Sequence, residues 1–203
     1  MSAAAQVRLE VLAEDFSMEV VLKEILPRIV PGAPYEVASF QGKDDLLKGL
    51  LGRLRGYASH WSSTGTRVVV VLDRDNDNCA ELKARLLRMA DDARLPREAV
   101  LFRIAVEELE AWFFGDIPAL REAYPKVPPS LGSQTAFREP DAVAGGTWEA
   151  LERVLRKHGY HAKGLRKARA ARDIAPHMDV ENNRSQSFQA FRDGLRRLVK
   201  EGN

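Results

Sequence analysis

Five consecutive apolar residues, Val68 to Leu72, run directly into Asp73, Asp75 and Asp77. A continuous apolar run of this length reads as a strand buried on both faces. Aspartates at alternate positions just beyond it repel one another unless a cation or a proton is present. In an α/β protein the carboxyl end of a buried strand borders the crevice where ligands bind. The expected ligand is a hard cation, Mg2+ or Mn2+, held by carboxylate oxygens. Leu9-Glu10-Val11-Leu12-Ala13 is a second apolar strand, and it ends at Glu14 and Asp15.

Around these two strands the pattern alternates. Helical periodicity from about 18 to 30, with Ser17 as its cap, is followed by Pro31-Gly32 and a strand at 35–40. Asp44 or Asp45 opens a helix to about 57, residues 59–66 read as a loop, and a helix from about 80 to 93 follows the aspartates. Residues 100–106 form a further buried strand, with a helical turn beginning near Glu107. Such β-α alternation predicts an α/β, Rossmann-like, mostly parallel sheet with helices on both faces. Glu14 and the 73–77 loop then face each other across neighbouring strands. Prolines and glycines punctuate 117–146, which reads as a short helix followed by a loop or lid. Additional C-terminal helices are expected at 147–158, 163–175 and 184–200, so the division is 1–116 core, 117–146 lid and 147–203 helical extension packed on the core.

Bulk properties narrow the class. The chain of 203 residues is 45% hydrophobic and 30% charged, ordinary values for a globular protein. A single cysteine, Cys79, excludes an internal disulfide framework and fits a cytoplasmic location. No apolar run approaches the roughly 20 residues that span a bilayer, and the first residues do not read as a signal peptide.

Other chemistries compete with the metal reading. A helix-loop-helix calcium site needs Gly and Glu where Asn78 and Ala84 stand. A haloacid-dehalogenase-like phosphotransferase, with Asp73 as nucleophile, matches the strand-Asp-x-Asp order. Each aspartate could also simply cap the next helix. Gly42-Lys43 lacks the glycines and hydroxyl of a phosphate-binding loop, and four scattered histidines do not suit zinc. Glu107, Glu108 and Glu110 form a further acidic cluster, from which Glu110 is expected to turn into the crevice.

The stretch from Arg153 to Arg172 carries many cations and no acidic residue. A basic helical hairpin there would suit a phosphate backbone, with Lys163, Arg166 and Lys167 as the contacts. A merely solvated basic face is the alternative. Carboxylates for a metal and cations for a polyanion are together what phosphodiester hydrolysis needs.

The order strand, Glu14, helix, strand, helix, strand, Asp73-x-Asp75 resembles the Toprim domain of topoisomerases, DnaG-type primases and OLD-type nucleases. More closely, the chain resembles the family called DUF4276. The resemblance rests on Glu14-Asp15-Phe16-Ser17-Met18-Glu19, on Asp73-Arg74-Asp75-Asn76-Asp77, on Glu110-Ala111-Trp112-Phe113-Phe114-Gly115-Asp116 and on Ser185-Gln186-Ser187-Phe188-Gln189-Ala190-Phe191. Asp15 stands where the family usually has Gly, and Met18 where a second acidic residue is usual. The resemblance implies a Toprim-like centre binding Mg2+ or Mn2+ through Glu14, Asp73 and Asp75, with Asp77 as a further ligand and Glu110 and Asp116 from the third motif. It also implies an ABC- or SMC-like ATPase as protein partner, in a bacterial defence setting. The expected activity is that of a nuclease acting on DNA or RNA, with Glu14, Asp73, Asp75 and Glu110 catalytic. A regulatory subunit of an ATPase complex and a small-substrate phosphatase are the competing expectations.

Overall fold

The computed structural model describes residues 7–75, 77–106 and 108–201. Four strands, β1 (Leu9–Ala13), β2 (Tyr35–Ser39), β3 (Arg67–Asp73) and β4 (Val100–Ala105), pair in parallel in the order β2-β1-β3-β4. The helices are α1 (Phe16–Ile29), α2 (Lys43–Ala58), α3 (Trp61–Thr64), α4 (Cys79–Asp92), α5 (Glu110–Phe114), α6 (Ile117–Ala123), α7 (Thr147–Lys157), α8 (Lys167–Ile174) and α9 (Gln186–Lys200). The sheet is Rossmann-like, parallel and covered on both faces, as the alternation predicts.

Every residue of β3 is buried, because the strand lies between two helical layers. Val68, Val70 and Leu72 meet Leu46, Leu50 and Leu54 of α2 and Leu82 and Leu86 of α4. Val69 and Val71 point the other way, into a larger core built by α1 and by everything from α5 to α9. The strand period of two thus divides one apolar run between two cores. Asp73 continues the parity of Val69 and Val71, so its side chain belongs to the face of the C-terminal helices. The larger core takes Val11 from β1, Trp112 from α5, Leu131 from the middle segment and Phe188 from α9. Residues on both sides of 116/117 and 146/147 therefore share it.

Strand order also identifies a switch point. From β1 the chain passes through α1 to β2 on one side, then crosses to β3 on the other. The carboxyl ends of β1 and β3 consequently diverge into a crevice. Glu14 follows the first of these strands and Asp73 ends the second.

Local details depart from the sequence expectations in ways that capping explains. Asp15, not Ser17, caps α1, accepting from Met18 N at 2.8 Å while Ser17 Oγ donates back to it. Asn78, not one of the aspartates, caps α4. Gly42 precedes α2, which starts at Lys43 ahead of Asp44 and Asp45. The expected loop 59–66 contains α3. The helical turn expected near Glu107 is α5, which begins at Glu110, while Glu107 itself and Asn76 lie outside the described residues.

The short helix expected from 117 is α6, and the rest of the 117–146 segment carries short 3-10 turns at 129–133, 135–137 and 140–142. Its Asp141 accepts from Ser185 Oγ and from Gln186 N, which ties the segment to the start of α9. The expected basic hairpin does not form. The second helix begins only at Lys167, and α8 packs on α1 and α6 while α7 packs on α5. Among the described residues no helix is long and apolar enough to cross a membrane.

Candidate metal centre

The ladder at the top of the sheet continues past the strands. Phe40 N donates to Ala13 O, Gly42 N to Glu14 O, Glu14 N to Val71 O and Arg74 N to Ala105 O. These bonds draw three loops together: Glu14-Asp15 after β1, Gly42-Lys43 after β2 and the aspartate loop after β3. Glu14, Lys43, Asp75 and Asp77 line one open cleft of about 440 Å³.

Glu14 Oε2 accepts the main-chain N–H of Asp73 at 2.9 Å. Burial raises the Glu14 carboxyl above its ordinary value, the Asp73 N–H and Lys43 oppose this, and Asp75 and Asp15 add to it. Asp75 and Asp77 turn to Lys43, whose Nζ lies 2.7 Å from Asp75 Oδ2 and 2.8 Å from Asp77 Oδ2. The same ammonium donates to Arg74 O at 2.9 Å. Burial lowers the Lys43 pKa, but the two aspartates outweigh it and hold the group above its usual value. Asp75 has φ of 49°, a left-handed conformation that aspartate tolerates better than most residues.

Behind the cleft lies a second group. Asp73 is 8% exposed and Glu110 2% exposed. Asp73 Oδ1 and Glu110 Oε2 are both buried and accept no hydrogen bond among the described residues. Burial pushes Asp73 well above the ordinary carboxylate range, and the neighbouring charges of Glu110 and Glu14 push it further. Burial raises Glu110 to about 7, against the pull of Lys167. Lys167 Nζ sits 3.6 Å from Glu108 Oε1 and over the Trp148 ring at 5.3 Å. Burial lowers its pKa, and Glu110, Glu108 and Asp73 together raise it above its usual value. Glu108 Oε2 accepts from Trp148 N and Thr147 Oγ1, which fixes the start of α7 beside the site.

The structure therefore separates the expected residues into three sets. Glu14 and Asp73 are joined directly, and Glu110 lies close enough to Asp73 for their charges to interact. Asp75 and Asp77 share the cleft but are turned to Lys43. Lys163 and Arg166 are exposed, whereas Lys167 turns inward to the carboxylates. Asp116 belongs to none of these sets: it caps α6 through Ala119 N and accepts Asp179 N. Lys43 was passed over in the sequence because it lacks a phosphate-loop motif. Its position just beyond the end of β2 was the available signal.

A hard divalent ion suits the donor set. All its side-chain donors are carboxylates, and Asp73 offers a buried oxygen with no partner. As placed, no three acidic, His or Cys side chains converge on one point among the described residues. Lys43 supplies the positive charge between Asp75 and Asp77 that a cation would otherwise provide.

The motif beginning at Glu110 is held by the C-terminal helix. Trp112 Nε1 donates to Ser187 Oγ at 3.0 Å, and its ring packs against Phe188 and Phe191 at 5.3 and 5.2 Å. Asn183 Nδ2 donates to Trp112 O, and Arg184 N to Gly115 O. A Cβ at Gly115 would lie 2.0 Å from Asn183 Oδ1, so only glycine permits this approach. The motifs at 110–116 and 185–191 are thus one packing unit that fixes Glu110.

The family model described as DUF4276, domain of unknown function, matches residues 13–196. No curated protein and no solved structure matches the chain.

Proposed function

The chain belongs to the DUF4276 family, and for the crevice at its β1/β3 switch point we propose Mg2+- or Mn2+-dependent hydrolysis of phosphodiesters in nucleic acid. The observation that carries this reading is the joining of Glu14 to Asp73 at the carboxyl ends of the two strands that part there. Glu14 and Asp73 would hold the ion, with Asp75 and Asp77 available to it once released from Lys43. A bound divalent ion supplies a charge for the phosphoryl oxygen and lowers the pKa of attacking water.

The remaining chemistry falls to the chain's own groups. Glu14, half-buried and raised in pKa, is suited to accept or return a proton at its carboxylate. Lys43, at the cleft wall, is suited to take a phosphate oxygen when it leaves the aspartates. Lys167 attracts the Asp73 carboxylate, while the neighbouring charge of Glu110 opposes its ionisation. The openness of the cleft supports a polymeric substrate over a small phosphate ester. The burial of Asp73 tells against its service as a nucleophile. Exposed Lys163 and Arg166 would extend contact along a phosphate backbone.

One observation favours a second reading, a regulatory subunit of an ABC- or SMC-like ATPase. The three contacts of Lys43 hold the aspartate loop with a side-chain cation in place of an ion. Incubation of the purified protein with supercoiled plasmid, linear DNA and RNA in Mn2+ or Mg2+ separates the two. Cleavage that stops on chelation and in Asp73→Asn supports hydrolysis. Cleavage undiminished in a folded Asp73→Asn variant overturns it. An inert protein, alone and with its ATPase, supports the regulatory reading.

A further inference from the structure

Outside the carboxylate cleft, Ile117, Pro118, Arg121, Ser133, Arg138 and Arg184 surround a pocket of about 590 Å³. It shares no residue with the cleft, and its lining contains three guanidinium groups and no acid. Among the described residues none of the three arginines pairs with a carboxylate.

Two of the arginines are nonetheless held in position. Arg184 donates through Nη1 and Nη2 to Gly132 O and through Nη2 to Arg138 O. Those bonds use three of its five N–H donors and leave its charge intact. Arg121 is tied through Nε to Val127 O at 3.1 Å, which leaves both its terminal nitrogens. Backbone carbonyls orient a guanidinium without neutralising it, which is what an anion site requires. Gly132 makes the arrangement possible: a Cβ there would lie 2.9 Å from Ile117 Cγ1 and 3.0 Å from Arg184 Nη1. Ile117, Pro118 and Pro129 supply the apolar part of the lining.

We propose that this pocket binds an organic phosphate of mononucleotide size, with its phosphate on Arg121, Arg138 and Arg184 and its ring or sugar against the Ile117-Pro118 wall. The volume lies within the range of small-molecule sites, about 300–1,000 Å³. The charge is gathered around one pocket with an apolar side and is not strung along a face, which favours a single phosphate ester over a polymer backbone.

Calorimetry on the full chain at low salt tests this with AMP, inorganic phosphate, adenosine and a short single-stranded oligonucleotide as probes. AMP is expected to bind, with phosphate and adenosine each weaker by about tenfold or more, since each lacks one half of the contacts. Arg138→Gln should weaken AMP by about tenfold without loss of fold, because that exposed side chain makes no hydrogen bond among the described residues. Arg184→Gln should do the same, and Asp73→Asn should leave AMP binding unchanged. The proposal is overturned if AMP fails to bind the wild type. It is equally overturned if both arginine variants bind AMP as tightly as wild type, if phosphate binds as well as AMP, or if only the oligonucleotide binds.

Discussion

The main-chain N–H of Asp73 donates to Glu14 Oε2 at 2.9 Å, so the last residue of β3 is tied to the first residue after β1 by a carboxylate. One oxygen of Glu14 therefore serves the fold, while its charge serves the cleft. Glu14→Gln can keep the hydrogen bond through its amide oxygen, and Glu14→Ala cannot. The glutamine variant is expected to unfold in urea near the wild-type midpoint but to lose any Mn2+-dependent activity. The alanine variant should lose activity and also about 1–3 kcal/mol of stability, the cost of an unsatisfied buried donor. Equal stability of the two variants would contradict the structural half of this role.

Under the proposed function, Lys43 and a divalent ion compete for Asp75 and Asp77. Lys43→Met is expected to bind Mn2+ several-fold more tightly, since an ammonium no longer has to be displaced. Without metal it should lose no more than about 1 kcal/mol, because the aspartates are largely exposed. Thermal shift against Mn2+ concentration checks both parts. A weaker Mn2+ response in Lys43→Met would mean that the lysine assists the ion.

Glu110 should make the metal-free protein less stable as pH rises. Its folded-state pKa of about 7 lies above the ordinary value of 4.5. Between those values the native state holds a proton that the unfolded chain has released, so unfolding free energy falls with pH across that window and levels above it. Asp73, raised in the same direction by burial and its neighbours, adds to the fall. Glu110→Gln should flatten the slope between pH 5 and 7, measured by urea midpoints (about the two pKa limits above). An unchanged slope would mean that Glu110 is ionised across this window in the native protein as in the unfolded chain.

Phe188 joins α9 to Trp112. Phe188→Ala is expected to cost about 3–5 kcal/mol, and Ser187→Ala, which orphans the indole N–H, about 1–3 kcal/mol. Chemical denaturation measures both. If either variant retained wild-type stability, the C-terminal helix would not be what fixes the 110–116 motif.

Asp116 is a structural member of an acidic motif. Asp116→Ala removes the cap of α6 and the acceptor for Asp179 N, so a loss of about 1–3 kcal/mol is expected. Mn2+ affinity of the folded protein should remain that of wild type. A specific loss of metal binding, with stability intact, would return Asp116 to the metal site.

Local pattern carried the sheet and half of the site. The run Val68–Leu72, the alternating Leu9–Val11 and the leucines of α2 announce their own elements, because periodicity and burial are properties of neighbours in the chain. Strand ends followed from the same reading, and with them Glu14 and Asp73. Folding alone decided which charges meet. In the sequence Lys43 carries no motif of its own, and Lys167 reads as a phosphate contact. One reaches the aspartates because β2 lies beside β1, and the other reaches Asp73 and Glu110 because α8 packs on α1 and α6. The same packing ties Asp141 of the 117–146 segment to the start of α9 and dissolved an expected basic hairpin. Electrostatic partnership depends on distance through space, which chain spacing does not encode, whereas the repeat of apolar residues is written along the chain itself.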